Sequence, residues 1–169
     1  PSTLFLTAID PATGDSLFHS AIHAQNLAAL IDMTKEFPPN MSYTIGRKLL
    51  FKHKNHRRET ILHVAAQTGN LDMVISAYRL FGGGILPGVP TYPGYQPLEG
   101  LTDLMDDGIP HIMFLLQKDR DGQDAASVAR SKGFDDVACW LESLVSRLDP
   151  DKKRNEDEAM NEWTRYMRR

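Results

Sequence analysis

Cysteine is almost missing. Cys139 stands alone among 169 residues, so no disulfide can close within the chain and no four-cysteine zinc site can form. Nothing in the composition calls for an oxidising compartment. Long apolar runs are missing too, and none approaches the roughly 18 residues of a membrane-spanning helix. The first ten residues lack the basic stretch and long apolar run of a secretory signal. Pro1 in place of methionine implies a longer or processed chain. A cytoplasmic or nuclear location is the expectation. Positive charge is not in excess either. A net charge of -3 excludes a globally basic nucleic-acid binder and leaves room for a local basic patch. What is present, 41% hydrophobic and 24% charged residues, suffices for a core and excludes wholesale disorder. The length fits one domain or a short repeat array.

Three stretches repeat one another. The first runs Gly14-Asp15-Ser16-Leu17-Phe18-His19-Ser20-Ala21 and on to Leu27. The second runs Arg58-Glu59-Thr60-Ile61-Leu62-His63-Val64-Ala65-Ala66 and on to Leu71. The third opens Gly122-Gln123-Asp124-Ala125-Ala126-Ser127-Val128-Ala129 and reaches Gly133. Each has a polar starter, apolar residues, a His or Ser, one or two alanines, then Gly or Gln before a second apolar stretch. Ser16, Thr60 and Asp124 are candidate helix N-caps, because a short oxygen-bearing side chain can accept from an amide two or three residues on. Gly69, Gly108 and Gly133 suit sharp breaks between helices. Apolar spacing then predicts helices with one buried face at Leu71, Met73, Val74, Ala77 and Leu80; at Ile112, Leu115 and Leu116; and at Val137, Ala138, Leu141, Leu144 and Val145.

This pattern resembles the ankyrin repeat, whose signature is Thr-Pro-Leu-His-x-Ala at a period of about 33 residues. The second copy matches best and anchors the other two. The resemblance covers about residues 10–147 and implies an all-α solenoid of stacked helix-turn-helix units. The gap before the last copy leaves space for a degenerate unit, with Gly94-Tyr-Gln-Pro-Leu-Glu99 as its turn and Gly108 to Leu116 as its second half. Four repeats are therefore expected, starting near residues 10, 55, 94 and 119. The alternative is that 82–100, with six glycines and four prolines, is one long loop. Residues 148–169 form a charged extension. Within it Met160, Trp163 and Met167 fall on one helical face with Tyr166 beside them. A further cap, a partner-binding helix and a frayed tail all remain open for this segment.

The resemblance implies a non-catalytic protein-binding module. Family contacts concentrate at turn tips and at the ends of inner helices. Carried over by position, the tips are Thr13 and Asp15, then His56, Arg57 and Glu59, then Arg120, Asp121 and Gln123. The inner-helix ends are His23, then Gln67 and Thr68, then Ser131 and Lys132. Tyr92 and Tyr95 are further candidate anchors. Two narrower readings are an inhibitor of a Rel-type transcription factor and a dedicated chaperone for a basic client. Another is a scaffold domain of a larger signalling or transcription protein.

Direct signs of chemistry are weak. His53, His56 and His63 have metal-ligand spacing, but His63 belongs to the repeat motif and no cysteine joins them. Asp119, Asp121 and Asp124 start like a calcium loop, yet Arg130 occupies its twelfth position. Gly82-Gly83-Gly84 lacks the Lys-Ser/Thr ending of a phosphate loop, and no Gly-x-Ser-x-Gly occurs. No catalysis, metal or cofactor is expected. Charge, however, is segregated. Residues 47–58 carry six Lys/Arg and no acid; residues 99–107 carry Glu99, Asp103, Asp106 and Asp107 and no base. A bipolar surface meeting a partner with a basic or acidic segment is one expectation, solvated turns the other. The basic run could also serve nuclear import, but it lacks the repeated aromatics of a stacking platform, so nucleic acid is not the expected partner.

Overall fold

The structure is a computed structural model that describes residues 8–35, 53–82 and 109–152, together with Asn161 and Arg165. The helices are α1 (Leu17–His23), α2 (Leu27–Lys35), α3 (Ile61–Thr68), α4 (Leu71–Gly82), α5 (Ile109–Leu116), α6 (Ala125–Ser131) and α7 (Asp135–Leu148). Among the described residues there is no strand beyond an isolated bridge between Ile9 and Ser16, so the class is all-α.

Local chemistry sets where the helices begin. Thr60 is extended (φ -83, ψ 171) and its hydroxyl accepts from the His63 amide, while His63 Nδ1 accepts from the Thr60 amide. Ser16 and His19 make the same reciprocal pair at α1. Asp124 caps α6 alone, at 2.8 Å from the Ser127 amide. Each satisfies a first-turn donor that has no partner within the helix.

The paired helices form three units. Helix α1 packs on α2, α3 on α4 and α6 on α7; α3 also packs on both α1 and α6, while α4 meets α2 and α7. The central position of α3 follows from its composition. Ile61, Leu62, Val64, Ala65 and Ala66 are all buried, and a helix apolar on every side needs neighbours on every side. Helix α7 is the opposite case. Val137, Ala138, Leu141 and Leu144 are buried, whereas Asp135, Asp136, Glu142, Ser143 and Arg147 are exposed. It therefore turns a polar face outward at one end of the stack.

Each unit opens with a hydrogen-bonded turn. The closing bonds run from the Asp10 amide to Asp15 O (2.8 Å), from Asn55 to Glu59 O (3.0 Å) and from Asp119 to Gln123 O (2.9 Å). Adjacent turns are tied directly by His56 N to Thr13 O and by Arg120 N to Arg57 O, each at 2.9 Å.

That last bond corrects one expectation. The sequence places a fourth unit between those starting near 55 and 119, but the turn at Asp119 sits directly on the turn at Asn55, and α6 lies against α3. The turn expected at 94–99 falls outside the described residues, as do Gly108, Tyr92, Tyr95 and the acidic stretch. Helix α5, expected as the second half of the extra unit, packs beside α6 and α7 instead. Its residues Ile112 to Leu115 are all buried, so its apolar surface covers the side of the existing stack rather than opening a new layer. Met160, Trp163, Tyr166 and Met167 also lie outside the described residues.

Candidate functional site

The units are joined by two buried imidazoles. His63 Nδ1 lies 2.8 Å from the Thr60 hydroxyl and accepts from the Thr60 amide at 3.2 Å, which places the ring proton on Nε2. Nε2 then donates to the Gln123 carbonyl of the next turn at 3.0 Å. His19 repeats the arrangement, with Ser16 at its Nδ1 and the Glu59 carbonyl 3.0 Å from Nε2. In the last unit Ser127 holds this position. Both rings are neutral here, because a second proton on Nδ1 would displace the donors already there.

A pH dependence follows. Burial pushes both imidazoles below their ordinary 6.5, outweighing the rise from the carbonyl each one donates to. The unfolded chain therefore binds more protons once the pH falls below about 6.5. Stability should be full above about pH 7.5 and decline as the pH drops through 6.5 towards the folded-state values. Urea midpoints at pH 7.5 and pH 5 would show it; equal midpoints would contradict the neutral-imidazole arrangement.

Beside these latches runs a ladder of polar side chains. His23 Nε2 is 3.4 Å from Asp15. Asn55 Nδ2 donates to Asp15 at 3.0 Å and to Glu59 at 2.8 Å. Gln67 donates to the other Glu59 oxygen at 2.6 Å. The ladder leads into an open groove of about 400 Å³ between the second and third units, with Arg57, Glu59 and Gln67 on one side and Asp119, Asp121, Gln123, Ser131 and Lys132 on the other, and Val128 among its lining. Arg57 lies at the rim, 69% exposed, with Nε 3.4 Å from Glu59 and a terminal nitrogen 3.9 Å from Asp121.

Seven residues singled out from the sequence thus meet in one groove: Arg57, Glu59, Gln67, Asp121, Gln123, Ser131 and Lys132. The others lie elsewhere or serve the turns. Asp15 and His23 belong to the ladder at the first join. His56 and Thr13 tie the first two turns together. Arg120 is an exposed tip whose amide holds the next join, and Thr68 turns its hydroxyl back to Ala65 O. Glu59, expected at an exposed tip, is only 4% exposed; Asn55, Gln67 and Arg57 of its own unit surround its carboxylate.

Sequence reasoning missed Asn55, and it named Asp119 only as part of an incomplete calcium loop. Each is buried and organises its turn: Asn55 Oδ1 accepts from the Arg57 and Glu59 amides, and Asp119 Oδ1 from those of Asp121 and Gln123. The available signal was an Asn or Asp five residues before each of the last two N-caps, a residue type that bonds the backbone two residues on. The candidate metal set separates. His53 Nε2 meets Gly14 O, His56 Nδ1 meets Ala12 O, and His63 meets Gln123 O. Among the described residues no three His, Cys, Asp or Glu side chains gather as metal ligands, and no helix is long and apolar enough to cross a membrane.

Compared with family models, curated proteins and solved structures, the chain matches none.

Proposed function

We propose that the chain is an ankyrin-type solenoid that binds a partner protein without catalysis, using the groove between its second and third units. The observation that carries this reading is the convergence of turn-tip and inner-helix side chains on one open groove while the backbone beneath is fixed by buried latches. A surface held this way loses little conformational freedom on association. Its polar residues are also placed on short helices and closed turns rather than on long loops, which favours defined geometry. The acidic stretch at 99–107, which would serve a Rel-type inhibitor, lies outside the described residues, and nothing in the groove favours a chaperone of a basic client or a scaffold domain, so the general module is preferred. Cytoplasm and nucleus remain the proposed locations.

The test is capture of partners on the immobilised full chain, read by mass spectrometry. Reversing both groove cations, Arg57→Glu with Lys132→Glu, should cut recovery of a stoichiometric protein by about tenfold or more. Reversing Asp136 and Arg147 on the outer face of α7 should leave it unchanged. Undiminished capture by the groove variant would remove the groove from the account.

A further inference from the structure

The two joins between the three units can be compared residue by residue. At the first, Asn55 spends one amide hydrogen on Asp15 of the first unit and the other on Glu59 of its own. A donor therefore bridges two carboxylates across the join. At the second join, Asp119 stands where Asn55 stood, Glu59 stands where Asp15 stood, and Gln123 stands where Glu59 stood. The turn bonds fix this correspondence: Asn55 N to Glu59 O matches Asp119 N to Gln123 O, and both side chains accept from the amides two and four residues on.

The exchange puts a carboxylate at the bridging position, and among the described residues the Gln123 side-chain amide donates to neither acid. Ionised aspartate has no hydrogen to give. Asp119 is only 7% exposed, its Oδ1 is taken by two backbone amides, and among the described residues nothing donates to its Oδ2. Glu59 is fixed by Asn55 and Gln67. Both carboxylates line the same groove. Arg57 hangs at the rim over Glu59 and Asp121, at 3.4 and 3.9 Å, and among the described residues it makes no ion pair with Asp119.

We propose that an arginine of the partner completes this join, its guanidinium seated between Glu59 and Asp119. The inference deepens the reading of the groove as a partner-binding surface and rests on it. A guanidinium presents five N–H donors in a planar fork and can serve two carboxylates at once, which the rounder and more strongly hydrated lysine ammonium does less well. Low exposure of the two acids reduces competition from water. The rim cations Arg57 and Lys132 act against a run of basic residues. The occupant is therefore a single arginine flanked by acidic residues that meet those cations, not a polybasic tract.

The experiment is an NMR titration of the 15N-labelled full chain. The probe is a Gly/Ser nonapeptide with one central arginine flanked by glutamates, run against the same peptide with citrulline. The amides of Asp121 and Gln123, which donate to Asp119, report on the site. Saturable shifts there with the arginine peptide, about tenfold weaker with citrulline, are expected. Asp119→Asn should weaken binding to a similar degree while preserving the turn, since an asparagine Oδ1 can accept the same two amides. Asp136→Asn, with the same charge change on α7, should not. Ser131→Trp, which fills the groove, should abolish binding. If Ser131→Trp abolishes binding but citrulline or Asp119→Asn changes nothing, the arginine assignment is overturned and the groove stands. If binding survives every variant, both fall. If the arginine peptide shows no binding at millimolar concentration, the arginine assignment is overturned and the groove is judged by partner capture alone.

Discussion

Replacing His63 by alanine should lower the unfolding free energy by about 3 kcal/mol, and the melting temperature by something on the order of 8 °C. The side chain is fully buried and joins two units. Removing it strips the Gln123 carbonyl of a donor at 3.0 Å and leaves the Thr60 amide and hydroxyl without their acceptor. Each buried polar group orphaned this way costs about 1 kcal/mol or more, and the void left by the ring adds to it. Because α3 touches α1, α4 and α6, the loss should spread through the stack rather than loosen one end. His23→Ala is the comparison. That side chain is 47% exposed and, among the described residues, its one ion pair is with Asp15 at 3.4 Å, so its loss should cost under about 0.5 kcal/mol. Denaturant titration of both variants decides the matter. Equal midpoints would mean that the buried ring does not hold the units together.

Gly69→Ala should cost about 3 kcal/mol, several times the effect of the same change at Gly133. Both glycines lie in the left-handed region, with φ +67 and +81, and an alanine in that conformation costs about 1 kcal/mol by itself. Gly133 faces open space. A Cβ at Gly69, by contrast, would lie 2.7 to 2.8 Å from three ring carbons of Phe134. That ring is packed against the core and immediately precedes α7, so making room would shift the last unit against the second. Overpacking of this kind adds about 1–3 kcal/mol. The Gly69–Phe134 contact also lies close in sequence to Gln67 and Ser131 on the two sides of the groove, so a shift there should reach the groove. Matched urea titrations of the two variants test this. Equal losses would show that the close approach to Phe134 does not position α7.

The sequence was most informative where local chemistry decides the outcome. Ser16, Thr60 and Asp124 announced three helix starts, and the apolar spacing of Met73, Val74 and Ala77, or of Val137, Ala138 and Leu141, marked the faces that are buried. The convergence of Arg57 and Gln67 with Asp121 and Lys132 could be anticipated only through the family resemblance, since 65 residues separate Gln67 from Lys132. Two things stayed hidden. Which turn sits on which is a long-range property, and uneven spacing suggested an extra unit where the Arg57–Arg120 bond leaves no space for one. The burial of Glu59 was hidden as well, because a charged residue at a turn reads as exposed until Asn55 and Gln67 are seen to satisfy it.

The imidazole latches all point the same way along the chain. His19 reaches forward to the second turn and His63 to the third, while the last unit offers Ser127, whose short side chain has no ring to extend towards a following turn. The array therefore has a grammar. A duplicate of the middle unit could be spliced in at the first join and find a histidine behind it and a waiting carbonyl ahead. Appended after the last unit, the same duplicate would meet a serine and the polar back of α7, and would have nothing to hold.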